Sequence, residues 1–348
     1  QLICLRADVI SFSAAISACV ASERIDVGLS LFNEMQRRGV EPAIHSNLWI
    51  LAKSHMKEEG AIQIAARKAR EALKEHIVGP QDLAVLTWAA GVLGVMDAEL
   101  CCLLSRTALL QMDQFRLRDM ALLAWGFTAL PILDDSVFRE LAVQLVSEVN
   151  RLNTQTLSKM ARAQFLDVAT TVIWAYSFGH RLDDALLNAM RQRLTSIGRS
   201  LDIASASLHR ESLKACAQDS TSQSTPFVAL DLPDRLVVHK PPGWEVEDRN
   251  IEFQLVDYLQ GVSFTCHCAI WHDPDHRYGF LHRLDVPSSG FIVAAKTYEA
   301  YYDLRVQLHA GKLHRDYSVV CRGLASLTCQ EIATRMLLMG PSPAMSGD

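Results

Sequence analysis

The sequence has little that would place it in a membrane or on a nucleotide phosphate. Its longest nearly uncharged run, residues 83–96, is too short to cross a bilayer, which takes about 20 apolar residues. No glycine-rich phosphate loop is present. There is no overall cationic excess either: 34 Lys and Arg stand against 39 Asp and Glu, for a net charge of −5. Tight non-specific binding of nucleic acid through bulk charge is therefore not expected, which leaves only local basic surface for that role. The nine cysteines are odd in number and scattered, so no disulfide framework is expected, and free thiols point to a reducing compartment. Residue 1 is Gln and no signal-peptide pattern follows it, so the chain reads as cut from something longer, with a lost targeting segment left open. What is present is apolar content: 49% of 348 residues is ample for real cores in two or more domains.

The chemistry concentrates at His282, Arg283, Leu284 and Asp285, followed by Val286, Pro287, Ser288, Ser289 and Gly290. Pro287 and Gly290 signal a turn, and two serines can bond back to its backbone. Residues 291–295 are a short apolar run of the kind buried in a sheet. This order puts Asp285 at the lip of a sheet beside Arg283 and His282. A carboxylate held there by cations stays ionised and can serve as a nucleophile or base. The alternative is a structural Asp that caps the turn and pairs with Arg283.

These residues resemble the catalytic motif of the RluA family of pseudouridine synthases, His-Arg-Leu-Asp followed by two free positions and Thr-Ser-Gly, with Ser288 in place of the Thr. An apolar strand ending in Lys240, Pro241, Pro242 and Gly243 is similar to that family's first motif. Arg315, Asp316 and Tyr317, running on to Gly323, are similar to its Lys-x-Tyr strand. The resemblance covers residues 227–323. It implies Asp285 as nucleophile, Arg283 filling the space of a flipped-out uridine, and Tyr317 packing on the uracil and assisting proton removal from C5. It also implies His282, Lys240, Ser289 and Gly290 shaping the substrate site, with Lys240 either building the site or holding phosphate. No metal or organic cofactor is implied, and the partner is RNA, ribosomal or transfer RNA among the candidates. The family's later basic strand, of the Gln-Ile-Arg type, has no match in residues 324–348, so the catalytic domain is expected to be C-terminally truncated, ending in a divergent tail.

The N-terminal region is helical in pattern. Ile16, Cys19 and Val20 mark one helix face, and Leu29, Phe32 and Met35 another; Gly39 and Pro42 close the unit. Two helices in this span resemble a pentatricopeptide repeat, a family that reads single-stranded RNA at one base per repeat. The resemblance puts base choice on Ser13 and Ala43, although Ala43 has no hydrogen-bonding side chain where Asp or Asn is usual. A plain helical hairpin is the alternative. A charged amphipathic helix follows over residues 61–76, carrying Arg67, Lys68, Arg70 and Lys74. Trp88, Trp125 and Trp174 are then each followed nine residues later by Asp97, Asp134 and Asp183. The aspartates suit helix N-caps, and the tryptophans are expected in the core between paired helices. This region is loosely similar to organellar octotricopeptide-type repeats, hence an expected mitochondrial or plastid location, with cytoplasm or nucleus as the alternative.

Residues 215–226 are polar and Ser/Thr-rich and read as a linker. Beyond them short apolar runs at residues 235–239, 279–281, 291–295 and 317–321, with a helix across 303–308, predict an α+β domain. The expected fold is thus multidomain. Pentatricopeptide-like repeats (1–79) and a helical repeat region (80–214) form an α-solenoid; a linker (215–226) leads to an incomplete, mainly antiparallel catalytic sheet (227–323) and a tail (324–348). Cys266, Cys268, His272 and His276 match no common zinc spacing, so free thiols are expected there. Two functions stay open: an RNA uridine isomerase guided by a helical RNA-binding arm, or a non-catalytic RNA-binding or scaffold protein.

Overall fold

The computed structural model describes residues 59–131, 135–208, 225–248, 251–261 and 268–318, with scattered residues of 12–52 and the pairs 336–337 and 344–345. Two compact units emerge: Gln1–Leu145 with Arg315–Asp348, and Val146–His314.

In the first unit, Phe12, Ala15 and Cys19 are helical, as are Val27, Ser30, Leu31 and Glu34, so both stretches read as the first repeat contain helix. Ser13 and Ala43 lie outside the described residues. Four helices follow: α1 (Glu59–Lys74), α2 (Pro80–Leu93), α3 (Ala98–Leu110) and α4 (Leu117–Ala129). Helix α5 (Ser136–Arg151) starts in this unit and ends in the other. Pro80 begins α2, where its missing N–H costs nothing, and Gly94 ends it at φ +64. The Asp97 carboxylate caps α3 by accepting from the Leu100 N–H at 3.0 Å. Asp134 lies outside the described residues.

Helices α2 and α4 meet through glycine. A Cβ on Gly126 would stand 2.6 Å from the Thr87 carbonyl oxygen, and Gly91 faces Gly126 across the same contact. That close approach corrects the expectation for the tryptophans. Ala89, Ala90 and Ala124 are fully buried, whereas Trp88 and Trp125 are only half-buried, their rings 6.2 Å apart. The gap between the helices is too narrow for indoles, which pack on each other at its rim. Trp174 is likewise half-buried and stacks on Phe178 at 5.2 Å.

The second unit holds α6 (Lys159–Phe178) and α7 (Asp184–Leu208) ahead of the sheet. Asp183 caps α7, accepting from the Leu186 N–H at 2.8 Å. The sheet is β1 (Phe227–Asp231), β2 (Arg235–Lys240) and β3 (Gly290–Ala295), in that order and antiparallel throughout. Helices α8 (Leu255–Gly261) and α9 (Tyr298–His309) accompany it. The run at 279–281 is not a strand; Phe280 makes one isolated antiparallel bridge to Ala294. Of the run at 317–321, Tyr317 and Ser318 have no regular structure and the rest lies outside the described residues. In the tail, β4 (Met336–Leu337) pairs with β5 (Ala344–Met345).

Helix α7 lies before the Ser/Thr-rich stretch and α9 after it, yet they pack tightly. Gly198 permits the approach: a Cβ there would meet the Glu299 Cα and N and the Tyr298 oxygen at 2.6 Å. The Asp202 carboxylate accepts from the Tyr298 N–H at 2.8 Å and the Glu299 N–H at 3.0 Å, reaching across from α7 to the first turn of α9. Burial pushes that carboxyl above its ordinary pKa, while the two amide donors pull it back. Arg199 pairs with Glu299 at 2.5 Å, and Arg191 with Asp303 at 2.6 Å. Asp303 also reaches Arg235 of β2 at 3.5 Å. The described residues before and after the composition break at 215–226, α7 on one side and the sheet with α9 on the other, therefore belong to one compact unit.

Gly198→Ala is expected to lower stability by about 2–3 kcal/mol, because the atoms it meets are backbone and cannot swing away. A fall in the urea midpoint at unchanged slope measures this. A midpoint equal to the parent's would rule out the close packing of α7 on α9.

Candidate active site

The site is built where β2 ends and β3 begins. The register pairs Lys240 with Gly290, so the turn after β2 and the loop before β3 leave the sheet at the same rung. Gly243 lies in the first of these at φ +83, where glycine is favoured, and its N–H donates to the Val286 carbonyl at 2.8 Å. The second, residues 281–289, leaves from Phe280 and returns at Gly290. The Ser288 N–H donates to the Asp285 carbonyl at 2.9 Å, closing a turn with Asp285 at its start.

Lys240 joins the two. Its side chain is completely buried, and Nζ donates to the carbonyls of Pro241 (3.2 Å), Trp244 (2.8 Å), Val286 (3.3 Å) and Ser288 (2.6 Å). An ammonium has three protons, so they are shared among four carbonyls. Two of these acceptors belong to its own turn and two to the loop of Asp285. Burial lowers the Lys240 pKa from its ordinary value, and the charge of Asp285 opposes that shift, which places the carboxylate within electrostatic reach of the ammonium. Asp285 itself is exposed. The result is a carboxylate held out to solvent on a loop whose base is pinned by a buried cation.

The far side of the loop is locked as well. Trp271 is fully buried and donates from Nε1 to the Ala295 carbonyl at 2.7 Å. Gly279, at φ +82, passes the same carbonyl so closely that a Cβ would stand 2.6 Å from it. Arg277 donates from Nε to Glu247 at 2.8 Å, and Arg283 pairs with Asp248. Two arginines thus hold two adjacent acids of the segment that follows Trp244.

The structure brings together most of the residues singled out from the sequence. Lys240, Asp285, Ser289 and Gly290 share one loop system, with Ser289 exposed and Gly290 at φ +153, where its hydrogen faces Leu284. His282 is half-buried on the same loop. Arg283 is exposed, and its carboxylate partner is Asp248, not Asp285. Tyr317 belongs to the other compact unit and is 61% exposed. Of the set weighed for zinc, Cys266 lies outside the described residues, and His276 commits its two ring nitrogens to Asp273 (2.8 Å) and Tyr302 (3.1 Å). Asp248, Trp271 and Gly279 were not legible as site residues. Only the glycine left a signal, as a turn residue just ahead of the charged tetrad.

Residues 234–342 match the model of the RNA pseudouridylate synthase family. No curated protein matches the chain. The synthase segment begins one residue before β2 and contains Lys240, Arg283, Asp285 and Tyr317; it runs past Gly323 across most of the stretch read as a divergent tail. At the level of the family, this segment is similar to RNA pseudouridine synthases, isomerases whose substrate is RNA.

Lys240→Met keeps most of the stem and removes the ammonium. It leaves buried carbonyls without their donor and is expected to cost about 1–3 kcal/mol. Amide hydrogen exchange at residues 285–290 should accelerate with it. Exchange there at the parent rate would show that the loop does not depend on Lys240.

Proposed function

We propose that the chain isomerises uridine to pseudouridine in RNA, with Asp285 as the nucleophile. The observation that supports this best is the exposed Asp285 carboxylate on a loop pinned by Lys240. The uridine must first leave its stack, at a cost of a few kcal/mol that is least in loops and single strands. Arg283, exposed at the loop's edge, exchanges Asp248 for the vacated space or for phosphate. The carboxylate then attacks the sugar or the base and the N-glycosidic bond breaks. The uracil turns, C5 bonds to C1′ as the bond to Asp285 breaks and frees the carboxylate, the C5 proton departs, and N1 takes up a proton.

The helical region ahead of the synthase segment serves in this reading as an RNA-binding arm. Its support is the helical content at both stretches that resemble a pentatricopeptide repeat. The basic face of α1 contributes less than its composition suggests. Arg70 pairs with Asp97 and Glu99, and Lys74 with Glu99 at 2.6 Å, so at least two of its four cations are already matched.

The test is tritium release from RNA labelled at C5 of uridine, using ribosomal, transfer and organellar RNA. Release is expected from the parent and a loss of at least a hundredfold, roughly the scale of removing a nucleophile's step, from Asp285→Ala. No release from any of these RNAs sinks the catalytic reading and leaves a non-catalytic RNA-binding or scaffold protein, which the pairing of Arg283 with Asp248 also fits.

A further inference from the structure

The two faces of the sheet differ. Leu236, Val238, Lys240, Ile292 and Ala294 are buried on one face. On the other, one rung aligns Phe227 of β1, His239 of β2 and Phe291 of β3. Phe227 and His239 lie nearly parallel, 4.9 Å apart and tilted by 19°. Phe291 meets His239 edge to face at 5.5 Å. Phe227 is 51% and Phe291 59% exposed, which is unusual for the largest apolar side chains of a sheet. The His239 Nδ1 is buried and makes no hydrogen bond among the described residues. This row stands one residue along the strands, about 3.3 Å, from the rung of Lys240 and Gly290 that carries the Asp285 loop.

We propose that Phe227, His239 and Phe291 form a stacking platform for an unpaired nucleotide next to the target uridine. The proposal rests on the synthase reading of the adjoining loop. When a uridine is drawn out of its stack, its neighbour loses a stacked face. Exposed rings on an open sheet give that face a replacement, and they do so for any base because every base has a π-face. The row lies one rung from the strand end that leads into the loop of the nucleophile, so the base it would receive is one adjoining the reacting nucleotide. Rings in place of aliphatic side chains at this rung favour a flat aromatic occupant over a general apolar one.

The full chain is titrated into a short fluorescein-labelled oligouridylate and its affinity read by anisotropy. Phe227→Leu with Phe291→Leu keeps apolar area and removes the rings; binding should weaken by roughly ten- to a hundredfold with the melting temperature unchanged. Phe291→Trp should bind like the parent, and its added fluorescence should be quenched as RNA is added. Should the double variant melt early, the quench alone decides. A parent that does not bind the oligouridylate, a double variant within twofold of it, or unquenched added fluorescence in the Phe291→Trp chain overturns the platform. So does a parent dimer that the double variant converts to monomer in sedimentation, which would make the face a contact between two copies. Tritium release that persists in the double variant at unchanged affinity removes the platform and keeps the synthase. Weakened binding in the double variant, with no release from any RNA by the parent, keeps the platform and removes the catalytic reading.

Discussion

A buried ammonium holds the candidate active site in place. Lys240 has no solvent to fall back on, and among the described residues its hydrogen-bond partners are main-chain carbonyls from two loops. Leaving those carbonyls and that charge in apolar surroundings without each other would cost far more than any surface pair, so the loops are forced to close on the cation. The β2 and β3 register then does the rest. Because Lys240 and Gly290 share a rung, the stem of the lysine points to where the loop of Asp285 begins, and Gly290 supplies the backbone angle that lets the loop turn in. An electrostatic constraint at one residue thereby becomes a positional constraint at another, with the nucleophile candidate left in solvent.

The support for that sheet reaches back before it in sequence. Asp303 sits between Arg191 on α7 and Arg235 on β2, and Asp202 satisfies two free N–H groups at the start of α9. A helix N-terminus with unmet donors is unstable when buried, and here the Asp202 carboxylate on α7 adds two acceptors to the Thr297 hydroxyl, which takes the Ala300 N–H at 3.1 Å. Gly198 shows that the contact is backbone to backbone, which cannot be loosened side chain by side chain. Helix α7 is thus part of the scaffold that carries α9 and β2, even though a polar, Ser/Thr-rich stretch separates them in the chain.

The parts legible in sequence are those governed by short-range rules. Residues 235–239 and 291–295 read as strands because apolar runs bounded by turn residues leave few alternatives, and β2 and β3 occupy them. Asp97 and Asp183 read as caps because a carboxylate before an apolar helical run satisfies orphan N–H groups, and both do so. The misjudged parts depend on distance. The tryptophans were assigned to the core by residue type, but whether an indole fits is set by how closely α2 and α4 approach, and Gly91 and Gly126 decide that from two different helices. The partner of Arg283 was likewise illegible, since Asp248 lies 35 residues away and carries no local pattern. The strand at β1 is apolar enough to be one, but only its pairing with β2 reveals the ring row.

Two cations flank Asp285 in sequence or space, and physical chemistry gives them different tasks. Lys240 is desolvated and fully committed, so a phosphate could reach it only by dismantling the loop it holds. Arg283 is more than half exposed and bound to a carboxylate that is itself accessible. A pair of that kind contributes no more than about 0–1 kcal/mol, because water screens it and two long side chains must be ordered to make it. An RNA phosphate offers the guanidinium the same bidentate geometry as Asp248, and the polyanion around it adds counterion release that a lone carboxylate cannot. Exchange of Asp248 for phosphate is therefore close to balanced at Arg283 and strongly opposed at Lys240. The fixed cation orders the loop and the exchangeable one meets the substrate, a division that follows from burial alone.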